Sequence, residues 1–393
     1  MEKIVSLCKR RGFIFPGSEI YGGFAGFWDY GPLGVKLSRN IQNLWWKMFV
    51  TDREDMYQFD AAIIMNPKAW EASGHVAGFA DPLNGKMFNT MFKTSVGAGE
   101  EAAVAYLRPE TAGGMFVNFK NVVDSMHPKL PFGMAQIGKS FRNEIAPRDF
   151  IFRSREFSQM EVEYFVYPNE WEKHFEAWRN IMQSWCREIG LNAVHELEVP
   201  DSERAHYSKR TIDFEFEYPF GRKELYGLAY RGDFDLTSHG LSYFDEETKK
   251  EIVPHVIEPS LGLDRTILAV LCDAYTEDEL GGETRTYLKL KPKIAPVTVA
   301  VFPLLKNKPE LVTKAKEIYQ ILKKEFNSVE FDDNGNIGKR YRRQDEIGTP
   351  WCVTIDFETI EKNNGVTIRD RDTGEQKRMR IDEMIEYVKS QLM

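Results

Sequence analysis

The segment Phe141–Phe165, FRNEIAPRDFIFRSREFSQMEVEYF, restricts the fold more than any other stretch of the chain. Its second half alternates. Arg155, Phe157, Gln159, Glu161 and Glu163 fall on one face of a strand, while Met160 and Val162, with Phe165 beyond them, are expected on the other face against helices. Its first half opens Phe-Arg-Asn-Glu, and Arg142 and Glu144, two apart, share a face if that half is also a strand. Two antiparallel strands joined by a long polar loop would gather arginines, an aromatic ring and carboxylates on one open surface. Arginine binds phosphate through two N–H donors. An aromatic face stacks on a base, and carboxylates hold an ammonium group or Mg²⁺. Such a surface suits a nucleotide and a small amine. Alternating Arg and Glu also describes a solvated face of cross-strand ion pairs, and the segment alone does not separate the two.

Composition narrows the class. A chain of 393 residues suggests two or three domains, and 42% hydrophobic residues with a net charge of −8 fits an ordinary globular protein. No apolar run is long enough to span a bilayer, so no membrane partner is expected. The start, MEKIVSLCKRRGFIF, lacks a long apolar core and a small-residue cleavage site, so no signal peptide is expected. Cys8, Cys186, Cys272 and Cys352 are scattered without a CxxC pair, which predicts reduced thiols, a cytoplasmic location and no zinc. With an acidic total, any RNA contact must come from a local basic patch.

Along the chain, GSEIYGGFAGFWDYGP predicts an irregular loop or a tight strand pair. Pro32 opens a helix through Leu37, Ile41, Leu44, Trp45 and Met48, whose apolar face suits either a core or a partner subunit. AAIIMNP predicts a strand ending at Pro67, and Asn84-Gly85 a two-residue hairpin turn. Arg108-Pro109-Glu110-Thr111 precedes a helical stretch, where Glu110 could simply favour the helix dipole. An amphipathic helix follows from Trp171 and stops at Gly190. TIDFEFEYPFG and KELYGLAYRGDFDL predict strands. Glu258, Ser260 and Gly262 share one face of a third strand, and Asp264-Arg265 opens a buried helix. A cation at a helix start needs an anionic partner, either a carboxylate or a phosphate. KLKPKIAP predicts a linker, dividing the chain into residues 1–292 and an α/β domain over 293–393. The cluster Lys339-Arg340-Tyr341-Arg342-Arg343 suits a solvated helix face or an RNA contact equally.

Together these motifs resemble a known family. FRNE with REFSQMEVE resembles motif 2 of the class II aminoacyl-tRNA synthetases, and EPSLGLDR resembles motif 3. The Pro32 helix with the strand ending at Pro67 resembles the dimer-forming motif 1. WDYGPLG, NPKAWEASGH, AYLRPETA, KLPFGMAQIGKSFRNE, AHYSKRTIDFEFEYPFG, RGDFDL and RYRRQDEIGTP extend the resemblance, over nearly the whole chain, to the homodimeric glycyl-tRNA synthetases.

The resemblance implies an α+β fold: an antiparallel sheet flanked by helices, then an α/β anticodon-binding domain. It implies ATP-dependent ligation of glycine to tRNA(Gly) through glycyl-adenylate, in a cytoplasmic homodimer, with Mg²⁺ accompanying ATP. Carried over by motif, Arg142, Glu144 and Arg265 are the catalytic residues. Asn143, Phe152, Arg153, Phe157, Glu224, Leu225, Gly262 and Asp264 join them around ATP, with Phe157 under the adenine and Glu224 and Glu258 facing the metal. Glu110, Gln159, Glu161, Arg231, Glu258 and Ser260 are implied for glycine, and Arg340, Arg342 and Arg343 for the anticodon. Glu224 and Arg231 are seven apart, so a regular strand would turn them to opposite faces. A bulge, or a strand ending before Arg231, is required.

Two departures from the family pattern follow. A sizeable insertion that usually follows GFADP is absent, since Asp81-Pro82-Leu83 runs through Asn84-Gly85 straight into Lys86. This predicts that tRNA charging is impaired more than adenylate formation. Gly113 stands where the family usually has Gln. A non-catalytic RNA-binding scaffold and an enzyme charging Ser, Thr or Pro are the competing readings. The completeness of the motif 2 and motif 3 residues disfavours the first, and RPET with EPSLGLDR disfavours the second.

Overall fold

The computed structural model describes residues 1–205, 207–361 and 365–392, so His206 of the AHYSKR motif lies outside the described residues. A seven-stranded sheet forms the centre of the larger unit. Its order is Val194–Glu198, Arg210–Tyr218, Gly221–Gly232, His255–Gly262, Glu156–Val166, Phe132–Phe141 and Met56–Gln58. All neighbours are antiparallel except the last pair, which is parallel.

One face of this sheet carries the main core. Met160, Val162 and Tyr164 point into it and meet the helices Pro32–Trp46, Trp171–Glu188 and Leu263–Ala274. Leu37, Ile41 and Trp45 are fully buried there, with Phe49 stacked between Trp45 and Trp178 at centroid distances of 5.2 and 5.8 Å. The apolar face of the Pro32 helix is therefore core.

Phe165 corrects the expected alternation. It has the parity of Glu161 and Glu163, and it packs on their side of the sheet against Phe119 and Phe132, at 4.6 and 5.1 Å. The site face is thus polar toward Gln159 and apolar at its other end.

Three further expectations change. Glu2–Arg11 forms an amphipathic helix, with Ile4, Leu7 and Cys8 buried, where no helix was expected. Pro67 begins a short helix instead of ending a strand. Asn66 caps it by accepting from the Lys68 N–H at 3.0 Å, and proline suits the first helical position. KLKPKIAP is packed, not loose: Ile294 and Ala295 are buried, and Asn40 Nδ2 donates to the Ala295 carbonyl at 2.8 Å.

The C-terminal unit is a five-stranded sheet in the order Val329–Phe331, Val299–Pro303, Trp351–Ile355, Val366–Asp370 and Gln376–Met379. The first three strands are parallel and the rest antiparallel. The helices Pro309–Glu325 and Ile381–Leu392 cover one face, and Ile337–Ile347 covers the other. The hairpin Tyr275–Leu288 ties the two units together. Its fully buried Arg285 grips Asp278 at 2.7 Å and donates to the Arg371 carbonyl at 2.6 Å, while Arg369 holds Asp345 at 2.8 and 3.0 Å.

The expected RNA-facing role of Arg340 is overturned. Arg340 is 1% exposed and donates to the carbonyls of Pro303, Asp333 and Gly335. It closes the turn before its helix and cannot reach a polyanion. Arg342 and Arg343 are partly exposed, paired with Glu283 at 3.1 Å and Asp332 at 2.9 Å. Among the described residues no helix is long and apolar enough to cross a membrane.

Candidate functional site

The site face of the sheet holds an open cavity of about 490 Å³, floored by the Phe157–Gln159 end of the Glu156–Val166 strand and walled by the Glu144–Ser154 loop, Lys223–Leu225 and Gly262–Arg265. Arg142 lies just past the end of its strand, so it does not share a strand face with Glu144 as expected. It is held instead by contacts. Nε donates to the Pro109 carbonyl at 3.0 Å, and the guanidinium lies 5.3 Å from the Phe79 ring centroid and 5.2 Å from that of Phe157. Glu144 accepts from Arg153 Nε at 2.6 Å, and Asp81 lies 3.7 Å from the same guanidinium.

Arg265 has the anionic partner that its helix-start position requires. Its Nη1 donates to the Glu224 carbonyl at 3.0 Å and to the Glu224 carboxylate at 3.2 Å, and its guanidinium sits 4.5 Å from the Phe152 ring centroid. Both groups remain part-exposed, so an arriving polyanion can compete for Arg265. Asp264 lines the cavity, but its two oxygens are taken by the Tyr30 hydroxyl at 2.7 Å and the Ser158 N–H at 2.6 Å. Asn143 is not on the wall, and its N–H donates to the Thr90 carbonyl at 2.7 Å.

The required bulge exists, twice. The Gly221–Gly232 strand shifts register between Tyr226 and Glu224, which leaves Leu225 unmatched, and again between Tyr230 and Gly232, which leaves Arg231 unmatched. The first bulge reconciles the two residues: Leu225 and Tyr226 both enter the core, which leaves Glu224 on the site face with Gly227, Ala229 and Arg231.

Deeper along the same face the carboxylates converge. Glu161 accepts from Thr111 Oγ1 at 2.5 Å, Ser260 Oγ at 2.7 Å and Gln159 Nε2 at 3.3 Å. Arg231 is 1% exposed. It grips Asp235 with two bonds of 2.7 Å and Glu258 with a third of 2.7 Å, and it lies over the Tyr207 ring at 3.8 Å. Its guanidinium has five N–H donors, so two remain. Glu110 pairs with His75 Nε2 at 3.3 Å, and His75 Nδ1 lies 2.8 Å from Ser73 Oγ. His75 and Ser73 had no role in the sequence reading. Both lie in the NPKAWEASGH motif, whose Ser-x-His spacing was the available signal.

Burial dominates the electrostatics here. It raises Glu161, and neighbouring Glu110 adds to the effect. It raises Glu258 to about 8, with Glu161 and Glu110 reinforcing the shift against the pull of Arg231. Glu110 goes the other way: His75, Arg231 and Arg142 outweigh its burial and hold it below the usual carboxylate range.

The pairing of Glu224 with Glu258 around one ion is corrected by this geometry. Glu258 stands opposite Ala229, five positions along the strand from Glu224 and on the order of 15 Å away. One Mg²⁺ with bonds of about 2 Å cannot join them.

The comparisons with known proteins fit this layout. Residues 92–274 match the family model described as "tRNA synthetase class II core domain (G, H, P, S and T)", and residues 298–391 match "Anticodon binding domain". Among solved structures, the fold is similar to a prolyl-tRNA synthetase from Cryptosporidium parvum complexed with L-proline and AMP. That likeness has a TM-score of 0.75 at 18% identity, covering 99% of this chain and 74% of the other. The chain is 46% identical to a glycine–tRNA ligase of Clostridium tetani, over 99% of this chain and 97% of the relative. It is 47% identical to one of Acetivibrio thermocellus, over 98% and 97%.

The chain belongs to the glycine–tRNA ligase family.

Both departures from the glycine–tRNA ligase pattern have a structural counterpart. The alignments run over 457 and 456 residues, longer than the 393 of this chain, so these ligases carry segments that it lacks. The expected break is closed by the hairpin Ala80–Leu83 and Lys86–Asn89, whose turn residues Asn84 and Gly85 have φ of 49° and 78°. At Gly113 a Cβ would come within 2.8 Å of the Trp70 ring, so a glutamine there requires Trp70 to move.

Proposed function

We propose that this class II enzyme condenses glycine with ATP to glycyl-adenylate and pyrophosphate, then transfers the glycyl group to the terminal adenosine of tRNA(Gly). The observation that carries this reading is the burial of Glu161 and Glu258 side by side, with Glu110 near enough to raise both, behind a cavity walled by Arg142, Arg153 and Arg265. Three acids around one small volume suit an ammonium group. A substrate without a side chain is then selected by excluding every larger one.

In the first step a glycine carboxylate oxygen attacks the α-phosphorus, and the bond to pyrophosphate breaks. No bond to the enzyme forms. Arg142, clamped between Phe79 and Phe157, faces the reacting phosphate and offsets the developing charge. Arg265 and Arg153 bind the outer phosphates after releasing Glu224 and Glu144. Phe157 offers its ring to the adenine, and Glu144 is the acceptor for the adenine amino group. Arg231 aims its two remaining N–H donors at the glycine carboxylate. Glu224, with its side chain 51% exposed beside the cavity, fits a Mg²⁺ held by one carboxylate and substrate phosphates. When bound, that ion would neutralise phosphate charge.

The cytoplasmic location rests on cysteine usage, and the homodimer on the resemblance to motif 1. Arg342 and Arg343 remain the candidate anticodon contacts, and the missing insertion supports slower transfer to tRNA than activation. Amino-acid-dependent exchange of pyrophosphate into ATP tests the core of the proposal. Glycine should support exchange and alanine, serine and proline should not. Exchange with one of those, but not with glycine, overturns it.

A further inference from the structure

Glu163 is fully buried on the site face of the Glu156–Val166 strand, and neither carboxyl oxygen has a hydrogen-bond partner among the described residues. The roles assigned above do not use it. It stands directly across from Glu258, since Ile257 pairs with Tyr164 and Ser260 with Glu161 on either side. One oxygen from each of Glu161, Glu163 and Glu258 lies within 4.8 Å of the others.

The charged groups facing Glu163 come from four elements. Glu161 is on its own strand, Glu258 on the next strand, Arg231 on the strand beyond, and Asp235 on the helix Phe234–Ser238. The strand on its other side offers apolar Met134 as its cross-strand partner. Among the described residues Arg231 is the one cation in this set, and it has already given two donors to Asp235 and one to Glu258. Four carboxyls therefore share one guanidinium. Burial, reinforced by Glu258, pushes Glu163 well above the usual carboxyl range, and Glu258 is also pushed up. Two carboxyls this close hold protons as a pair.

We propose that Glu163 is a positioning residue that shares one proton with Glu258 in the free enzyme, and that the ammonium group of the amino-acid substrate displaces this proton to solvent. The inference rests on the glycine-activating reading. Protonated enzyme and zwitterionic glycine give the complex and one H⁺, and no bond to carbon changes. While the pocket is empty, the proton on the pair supplies the positive charge that glycine later brings. Acid retains that proton, so glycine binds more weakly as pH falls.

Calorimetric titration of the full-length protein with glycine, in buffers of different ionisation heat between about pH 6 and about pH 8, tests this. The wild type should release close to one proton per glycine, and its Kd should rise roughly tenfold for each pH unit lost below the titration of the pair. Glu163→Gln keeps the volume but not the ionisation, and leaves only Glu258 to titrate, so both the proton release on glycine binding and the pH slope should fall below the wild-type values. The wild-type measurement stands alone if that variant does not fold. Glycine binding without buffer-dependent heat, or an unchanged pH slope in Glu163→Gln, overturns the inference and leaves the glycine reading intact. Absence of both glycine binding and glycine-dependent exchange at every pH overturns both.

Discussion

The two ends of the site face carry similar residue types in opposite states. At the open end, Arg142, Arg153 and Arg265 are part-exposed, and the latter two hold only exchangeable partners, Glu144 and Glu224. At the closed end, Arg231 is buried and held by Asp235 and Glu258 through three of its five N–H donors, and the carboxylates are buried. Exposure leaves a charge free to receive a large polyanion. Burial fixes charges in place and leaves room only for a group that completes the set. The C-terminal unit repeats the contrast within one helix, where Arg340 is sealed among carbonyls while Arg342 and Arg343 face outward.

Substitutions at each end sharpen or break this contrast. Arg265→Ala should have the largest effect, cutting glycine-dependent exchange by about 10²–10³-fold, equivalent to about 3–4 kcal/mol of transition-state stabilisation. The fold should be preserved by circular dichroism, because the residue is part-exposed. Near-normal exchange would remove Arg265 from the phosphate-binding end.

Arg340→Ala should destabilise the C-terminal unit by about 2–4 kcal/mol, read as an earlier transition in urea, because buried carbonyls lose their donors. If it weakens tRNA binding without changing stability, the sealed-versus-open distinction fails for this helix.

Glu161→Gln keeps the shape but removes the charge, so the KM for glycine should rise by about 10–100-fold while that for ATP stays within about twofold. Equal effects on both substrates would show that the two ends do not act separately. The smallest stability effect is expected for Arg342→Ala, within about 0.5 kcal/mol, because its partner Glu283 is 80% exposed.

The alternation from Gln159 to Glu163 was legible because a half-polar strand exposes its period directly. The hairpin at Asn84-Gly85 was legible because few residue pairs accept two positive φ angles. Arg340 was misassigned because a run of arginines on a helix does not reveal which member turns inward to cap a neighbouring loop. The Glu2–Arg11 helix was hard to read because half of its ten residues are charged and its buried face is only Ile4, Leu7 and Cys8. The meeting of Glu110, Glu161 and Glu258 could not be read from local pattern. They come from three segments, and only strand order brings them together. The resemblance supplied that order, and the need for a break in alternation between Glu224 and Arg231 was the one part of it that spacing alone demanded.

The Asn84-Gly85 turn has a consequence for chain length. Leu83 and Lys86 are paired partners, so any segment placed between them starts and finishes about one strand spacing apart, roughly 5 Å. Loop closure grows only logarithmically with length, and the turn itself is exposed. Many residues or none can be accommodated there while Asp81, two positions before the break at Leu83, stays beside Arg153. Length at this point is close to a free variable of the architecture, which separates the evolution of the appended module from that of the chemistry beneath it.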